Sequence, residues 1–279
     1  MSRVPRPGGS PRAVASADNA AVREARRLER DRDLRDRTGL YLAWGAHLAQ
    51  EARDAGAGIA RAFITAPAPD RETERLAADL ARRGTDVLSV RPALLDSIAR
   101  GSRDQGILLV VRRPETTLAA LLARRPTLLL AAHGVQDPGN VGTMARSALV
   151  LGAAGLVTLE GTADPHSSRA VRAGMGAHFR LPIACASTRE TIAALREAGL
   201  AIVAADPSGG AGPGATRLDR PVVLCVGSEG AGLPPALLEA ADARVRIPMA
   251  RAASSLNVHA AAAVLLYEAA RQRGFADLL

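Results

Sequence analysis

Short runs of hydrophobic residues alternate along the chain with segments in which hydrophobic positions recur at helical spacing. Such runs are typical of buried strands, and such segments are typical of amphipathic helices. Between residues 38 and 112, strands are predicted at Leu40–Trp44, Ala60–Thr65, Asp86–Val90 and Ile107–Val111. Helices are predicted at Ala46–Ala55, Arg71–Arg83 and Pro92–Ala99. Residues 38–112 are therefore predicted to form a first, smaller α/β domain.

The same alternation continues through residues 127–279, which are predicted to form a second domain. Its strands are predicted at Thr127–Ala132, Gly155–Leu159, His178–Ile183, Leu200–Ala204, Val222–Val226 and Ala243–Ile247. Its helices are predicted at Asn140–Leu151, Arg189–Ala198, Pro234–Ala240 and Leu256–Arg273. Alternating strands and helices indicate a mostly parallel sheet covered on both faces. The predicted fold class is α/β.

The segments outside these two domains differ in composition. Residues 1–19 are rich in Pro, Gly, Ser and Ala and are predicted to be disordered, and residues 20–37 indicate an exposed, charged helix or basic arm. We therefore expect a flexible basic extension over residues 1–37. Residues 113–126 are predicted to be a linker with a short helix at Thr116–Ala123. No apolar run reaches the roughly 18 residues of a membrane span, and residues 1–20 lack the apolar core of a signal peptide, so we expect a soluble cytoplasmic protein.

Arginine supplies the entire basic charge. All 36 residues counted as Lys or Arg are Arg, which excludes enzymes that need a lysine amine, such as Schiff-base enzymes. Residues 1–113 hold 21 Arg against 15 acidic residues, a net charge of +6, whereas residues 114–279 hold 15 against 13, a net charge of +2. This imbalance favours a polyanionic partner that is contacted mainly by the N-terminal part. The alternative is a solvated basic surface that binds no partner. Because aromatic residues are only 2% of the chain, an RNA partner is expected to be recognised by backbone and shape.

Cysteine and histidine show no pattern of a metal site. Cys185 and Cys225 lie in apolar stretches and are predicted to be small core residues. The five histidines lack metal-ligand spacing, so we predict no metal site.

Three segments require a chemical explanation, and the first is HGVQDPGNVGTMARSALVLGA, residues 133–153. It follows a predicted strand, where α/β sheets bind ligands. Gly139 and Gly142 allow close approach of the backbone, and Asn140 can orient a ligand. Arg146 has apolar neighbours, so it is predicted to be buried with a partner or directed into a cleft. The alternative is an ordinary strand–turn–helix with a capping Asn and a surface Arg. The glycine spacing does not match a dinucleotide fingerprint.

The second segment is VVLCVGSEGAGLPPALLEAAD, residues 222–242. An apolar strand runs into a loop with Gly227, Ser228, Glu229, Gly230 and Gly232, which predicts close wrapping around a ligand. Glu229 disfavours a phosphate, so a neutral or cationic ligand fits better. A serine nucleophile elbow is also disfavoured, because it needs glycine where this chain has valine. The alternative is a tight connector before a helix.

The third segment is VRIPMARAASSLNVHAAAAVLLYEAARQR, residues 245–273. Ser254, Ser255 and Asn257 are predicted at the start of the last helix, where either serine can be an N-cap. The functional interpretation is that Ser255 and Asn257 direct polar groups towards a shared site. The small residues Ala260–Ala263 favour close packing against another element, such as a second subunit.

Together these segments resemble the three motifs of the SpoU (TrmH-like) family of RNA ribose 2′-O-methyltransferases, in the SPOUT superfamily. The matching strings are DPGNVGTMARSALVLGA, LCVGSEGAGLP and IPMARAASSLNVHAAAAVLLYEA. Residues 38–111, with SRDQGILLVV before the linker, resemble the L30e-like RNA-recognition domain that often precedes this catalytic domain. The resemblance implies a trefoil-knotted domain over residues 127–279, S-adenosyl-L-methionine bound in the knot, and a homodimer.

The resemblance also implies roles for individual residues. By motif position, the catalytic residues are Arg146, Asn140, Ser255, Asn257 and Glu229. The cofactor-binding residues are Leu224, Gly227, Ser228, Gly230, Ile247, Met249 and Leu256. A sulfonium is cationic, so Glu229 is tolerated beside it. The family's proposed activator of the ribose hydroxyl is Arg146. Because a guanidinium stays protonated near neutral pH, phosphate binding and stabilisation of the developing alkoxide are an alternative role. Glu229 has a structural alternative, the organisation of the glycine loop or the dimer.

The leading functional hypothesis is methylation of large-subunit (23S) rRNA. The alternatives are a tRNA methyltransferase, an rRNA methyltransferase that confers antibiotic resistance, and an RNA-binding relative without catalysis. An oxidoreductase with a nucleotide cofactor is disfavoured by the missing glycine fingerprint. Residues 205–220, ADPSGGAGPGATRLDR, are interpreted as a Gly/Pro-rich surface loop rather than a motif.

Overall fold

The chain folds into two compact units. The computed structural model describes residues 11–99, 106–114, 116–250, 255–276 and 278. The first unit comprises residues 1–115 together with residues 166–179, and the second comprises residues 116–165 and 180–279. The first unit therefore includes a segment from within the second half of the sequence, which the predicted boundaries do not anticipate.

A mixed five-stranded sheet forms the centre of the first unit. Its strands are β1 (Arg12–Val14), β2 (Leu40–Trp44), β3 (Ile59–Thr65), β4 (Asp86–Val90) and β5 (Ile107–Arg112). The spatial order is β1–β4–β3–β5–β2, with β5 antiparallel to both of its neighbours. The helices are α1 (Ala20–Arg30), α2 (Arg32–Thr38), α3 (Ala46–Asp54), α4 (Arg71–Arg82), α5 (Pro92–Asp96) and α8 (Ser168–Ala173). Strands β2 and β4 have the predicted bounds.

The expected flexible extension is wrong for residues 11–37, which form β1, α1 and α2; residues 1–10 lie outside the described residues. Val22, Ala25 and Leu28 recur every three residues, so they share one face of α1, and all three are buried in the core. The side chain of Asn19 accepts a hydrogen bond from the Ala21 amide at 2.9 Å and caps the helix. The charged residues hid this amphipathic stripe in the sequence.

The predicted strand at His178–Ile183 is also wrong. His178 lies in a 3₁₀ turn (Ala177–Phe179), and the strand is β8 (Ile183–Cys185). The Phe179 ring stacks on that of Tyr41 with centroids 6.4 Å apart, in the core of the first unit. This packing replaces the extended conformation that the local apolar pattern predicts.

A six-stranded parallel sheet forms the centre of the second unit. Besides β8, its strands are β6 (Leu128–Ala132), β7 (Leu156–Thr158), β9 (Ala201–Ala205), β10 (Val222–Val226) and β11 (Ala243–Val245). The order is β11–β9–β10–β6–β7–β8, and every neighbouring pair is parallel. The helices are α6 (Leu118–Leu122), α7 (Pro138–Val150), α9 (Thr188–Glu197), α10 (Pro235–Ala240) and α11 (Val258–Gln272). The prediction of a mostly parallel sheet is confirmed here.

The short helix α6 belongs to the second unit rather than to a separate linker. Leu118 and Leu121 are buried in its core, so this unit begins before the predicted boundary at residue 127. Cys225 is buried in β10 as predicted, whereas Cys185 is exposed at the end of the edge strand β8. Among the described residues, no helix is both long and apolar enough to cross a membrane.

Candidate active site

Loops at the carboxyl ends of neighbouring parallel strands enclose a cavity in the second unit. This cavity has a volume of about 470 Å³ and is lined by residues that follow β9, β10 and β11. Because β10 and β11 both flank β9, their loops meet at one edge of the sheet, which is where α/β proteins bind ligands.

Most of the predicted cofactor-binding residues line this cavity. They are Gly227, Ser228, Gly230, Ile247, Met249 and Leu256. Leu224 does not line it, because its side chain is fully buried in the middle of β10, between Leu130 of β6 and Val203 of β9. Of the predicted catalytic residues, Glu229 and Ser255 line the cavity. Ser255 is exposed, and Ser254 lies outside the described residues.

The glycine loop after β10 is folded tightly onto itself. Ser228 and Gly232 form an antiparallel bridge, in which the Gly232 amide donates to the Ser228 carbonyl at 2.9 Å. A Cβ on Gly227 would lie 2.2 Å from the Gly232 carbonyl carbon, so only glycine fits there. Gly232 itself has a φ of +68°, which glycine adopts without strain. The loop therefore presents backbone groups, rather than bulky side chains, to the cavity.

Asn257 joins the three segments that the sequence singles out. Its Nδ2 donates to Glu229 Oε1 at 2.8 Å and to Asn140 Oδ1 at 3.3 Å. Its Oδ1 accepts hydrogen bonds from the His259 and Ala260 amides at 3.0 and 3.3 Å, so Asn257, rather than a serine, is the N-cap of α11. One side chain thus connects the helix start with the other two motifs.

Glu229 takes part in the same arrangement from the glycine loop. Besides the bond from Asn257, its Oε1 lies 3.4 Å from the Val258 amide, which donates to it. A carboxylate at a helix N-terminus is favoured by the helix dipole. Glu229 therefore has a clear structural function in fixing the glycine loop to the start of α11.

Arg146 lies outside this cluster. The sequence predicts a side chain that is buried or directed into a cleft, but Arg146 is exposed on α7. Among the described residues it has no hydrogen-bond or ion-pair partner, and it does not line the cavity of its own chain. One residue further along α7, the Ser147 hydroxyl lies 3.0 Å from His259 Nε2 on α11, and burial lowers the pKa of His259. The helix carrying Arg146 is thus held against the helix that Asn257 caps.

Sequence reasoning missed Asp206. The segment 205–220 is interpreted above as a surface loop, but its first residues, Ala205–Ser208, line the cavity. Asp206 is buried, its Oδ1 accepts from the Ser208 amide at 2.9 Å and from the Ser208 hydroxyl, and Arg244 Nη1 lies 3.5 Å from Oδ2. The hydrogen bonds from Ser208 hold the pKa of Asp206 below its ordinary value, against the effect of burial. Asp206 directly follows β9, which lies beside β10, and the carboxyl ends of such strands are where α/β proteins bind ligands. This position is the signal that marks Asp206 as a site residue.

Comparison with known proteins identifies the class to which this fold and site belong. Residues 127–267 match the SpoU rRNA Methylase family, and residues 19–109 match the MRM3-like substrate binding domain. The chain belongs to the SpoU methylase family, and its class is that of the RNA 2′-O-methyltransferases.

Individual relatives are similar over nearly the whole chain. A 23S rRNA (guanosine(2553)-2′-O)-methyltransferase, RlmP, from Bacillus subtilis is 31% identical over 91% of this chain and 97% of its own. The AdoMet-bound rRNA methyltransferase from Sinorhizobium meliloti has a TM-score of 0.83 and 34% identity, over 94% of this chain and 98% of its own. The SpoU methyltransferase AviRb from Streptomyces viridochromogenes, in complex with AdoMet, has a TM-score of 0.80 and 29% identity, over 91% and 98%.

Proposed function

We propose that this protein transfers a methyl group from S-adenosyl-L-methionine to a ribose 2′-hydroxyl of large-subunit (23S) rRNA. The observation that carries the proposal is the hydrogen-bonded cluster of Asn140, Glu229 and Asn257 beside a ligand-sized cavity. Membership of the SpoU family supports the reaction, and the similarity to the Bacillus subtilis 23S rRNA methyltransferase supports 23S rRNA over tRNA as the substrate.

The residues of the cavity fit S-adenosyl-L-methionine. A volume of about 470 Å³ falls within the range of roughly 300–1,000 Å³ that is usual for small-molecule sites. The glycine loop offers backbone groups to an adenosyl ligand, and Val226, Leu233 and Ile247 offer apolar surface. Asp206 adds a buried carboxylate that can accept a hydrogen bond from a hydroxyl or an ammonium group. When bound, this cofactor supplies the electrophilic methyl group.

The chain's own residues position the acceptor. We assign Asn257 and Asn140 to the orientation of the ribose and Glu229 to the fixing of the glycine loop. Arg146 binds the phosphate next to the target ribose and stabilises negative charge that develops on the 2′ oxygen, because the planar fork of a guanidinium group suits phosphate oxygens and its donors stabilise developing negative charge. Ser255, exposed at the rim of the cavity, is assigned to RNA contact.

We further propose that the active form is a homodimer and that the second unit contains a trefoil knot. Large apolar side chains are exposed on the two helices that pack together near the site: Val150 on α7 is 62% exposed, and Val264 and Tyr267 on α11 are 42% and 53% exposed. Exposed apolar surface of this kind is typical of an interface. Since Arg146 does not line its own cavity, we propose that dimerisation brings it to the cavity of the partner subunit.

Transfer of a tritium-labelled methyl group tests the proposed function. Purified protein is incubated with labelled S-adenosyl-L-methionine and either unmodified 23S rRNA or unmodified tRNA, and the labelled nucleotide is mapped. We expect label in 23S rRNA, on a ribose 2′ oxygen. Label in tRNA alone would contradict the substrate assignment. Cofactor and rRNA binding without any transfer would instead favour the RNA-binding relative without catalysis.

A further inference from the structure

We propose that the exposed face of α1 in the first unit binds the phosphate backbone of the substrate RNA, an inference that rests on the methyl-transfer function proposed above. Arg23, Arg27 and Arg30 form this face, which we call the α1 arginine row. Their spacing of four and three residues places them on one side of the helix, over about 10 Å of its length. All three are exposed.

The charge of the α1 arginine row is not neutralised by its surroundings. Within the described part of the chain, none of its three guanidinium groups has a hydrogen-bond or ion-pair partner. The acidic neighbour Glu24 is engaged elsewhere, because its Oε2 accepts from Arg61 Nη1 at 2.7 Å. Arg61 Nε also donates to Asp86 Oδ2 at 3.0 Å, and Arg12 lies 3.8 Å from the other oxygen of Asp86, so two carboxylates and two guanidinium groups balance one another without the row. Three unbalanced cations on one face attract a polyanion.

Four other arginines of the unit have structural partners, which distinguishes them from the row. Arg26 donates to the Ser97 hydroxyl and to the Ala17 carbonyl, so it fixes α1 to the rest of the unit. Arg35 is buried and donates to the Leu28 carbonyl. On α4, Arg82 and Arg83 both contact Asp79, at 3.1 and 3.0 Å. The row differs from these four arginines in having three members on one helix face without a structural partner.

The shape and composition of this surface favour a backbone rather than bases. An open groove of about 490 Å³ runs beside the row and is lined by Ala20, Arg23, Glu24, Arg27 and Leu34. All four aromatic residues of the first unit are buried: Tyr41, Trp44, Phe63 and Phe179. No Tyr, Trp or Phe ring of this unit is therefore available for stacking on unpaired bases, so recognition is expected to depend mainly on phosphate and ribose contacts.

Two triple variants with the same change in charge test the inference. The test variant carries Arg23→Ala, Arg27→Ala and Arg30→Ala. The matched control carries Arg71→Ala, Arg75→Ala and Arg82→Ala on α4 of the same unit, where all three positions are exposed. Filter binding of unmodified 23S rRNA is measured over a range of KCl concentrations. We expect the test variant to raise the Kd at least about tenfold and to lower the slope of log K against log salt by about 2, since each lost phosphate contact contributes roughly 0.7–0.9.

The controls separate this inference from the proposed function. The α4 variant is expected to change the Kd much less than the test variant. Equal weakening by both variants would assign the effect to net charge and overturn the inference, as would an unchanged Kd of the test variant. A loss of binding to polyglutamate with unchanged rRNA affinity would point to an acidic protein partner and also overturn it. A wild-type chain that neither binds nor methylates rRNA would overturn the proposed function itself.

Discussion

Asn257 and Glu229 are joined by a hydrogen bond of 2.8 Å that links the start of α11 to the glycine loop after β10. The two ends of the Asn257 side chain have different functions. Its oxygen caps the helix, while its nitrogen donates to Glu229 and Asn140. The capping oxygen and the donor nitrogen can therefore be changed separately.

Asn257→Asp is expected to reduce activity strongly without loss of the overall fold. Aspartate caps helices as well as asparagine does, so α11 is retained. The donor, however, is replaced by an oxygen facing Glu229. Hydrogen bonds to charged groups contribute about 1.5–3 kcal/mol, which corresponds to a loss of about 10- to 100-fold in kcat/KM for methyl transfer. Thermal unfolding measured beside the activity separates the two effects.

The double variant Asn257→Asp with Glu229→Gln is the control for this pair. The amide introduced by Glu229→Gln can donate to the carboxylate introduced by Asn257→Asp, so the bond is restored with its direction reversed. We expect the double variant to be more active than Asn257→Asp alone. If the loss of activity in the double variant equals the sum of the losses in the two single variants, on a free-energy scale, this contact does not contribute to catalysis.

Arg146→Ala and Arg146→Lys are both expected to lower turnover by about 10²–10³-fold, the usual cost of removing one group that stabilises charge in the transition state. Lysine is expected to be a poor substitute, because it lacks the planar fork of donors. Cofactor affinity should be unchanged, since Arg146 is assigned to the RNA phosphate and the ribose oxygen rather than to the cofactor. Arg189→Ala, at an exposed position of α9 in the same unit, is the control. Wild-type turnover in both Arg146 variants would exclude a catalytic role.

Asp206→Asn is expected to weaken binding of S-adenosyl-L-methionine by about tenfold or more, because it removes a buried charge that accepts hydrogen bonds in the cavity. Isothermal titration calorimetry measures this affinity without RNA. Asp219→Asn, at a position later in the same loop whose side chain is 47% exposed, is the matched control and should bind as the wild type does. Equal affinities of the two variants would remove Asp206 from the cofactor site.

Gly227→Ala is expected to abolish measurable cofactor binding and to destabilise the fold by about 1–3 kcal/mol, the range found for overpacked sites. The new methyl group would lie 2.2 Å from the Gly232 carbonyl carbon, and backbone on both sides must then move. Gly209→Ala is the control, since its Cβ would meet nothing within 4 Å and its φ is not positive. If Gly227→Ala binds the cofactor normally, the cavity does not depend on the tight loop.

Local pattern was sufficient to predict strands such as Leu40–Trp44 and Val222–Val226, because each is a continuous hydrophobic run that ends at a glycine. It did not predict the segment 166–179, whose conformation depends on Tyr41, far away in the sequence. The motifs identified Asn140, Glu229 and Asn257, but the hydrogen bonds between them depend on the order of strands in the sheet. Asp206 was missed for the same reason, since only the pairing of β9 with β10 places it at the cavity.

The buried His166 is expected to make the stability of the first unit depend on pH. Burial, then the positive charges of His178, Arg113 and Arg35, lower its pKa well below the ordinary value of 6.5. Above pH 6.5, His166 is neutral in both the folded and unfolded states, so its titration does not change the stability. As the pH falls below this value, the unfolded state takes up a proton first, so stability decreases by at most about 1.4 kcal/mol per pH unit until the folded pKa is reached.

Urea unfolding followed by fluorescence measures this effect, because the single tryptophan, Trp44, is buried in the first unit. We expect His166→Gln to be less stable than the wild type at neutral pH, since it disturbs a packed core, but to lose less stability between pH values near 7 and 5. His47→Gln, at an exposed position on α3, is the control and should retain the wild-type slope. The same slope in His166→Gln would mean that another group causes the loss of stability in acid.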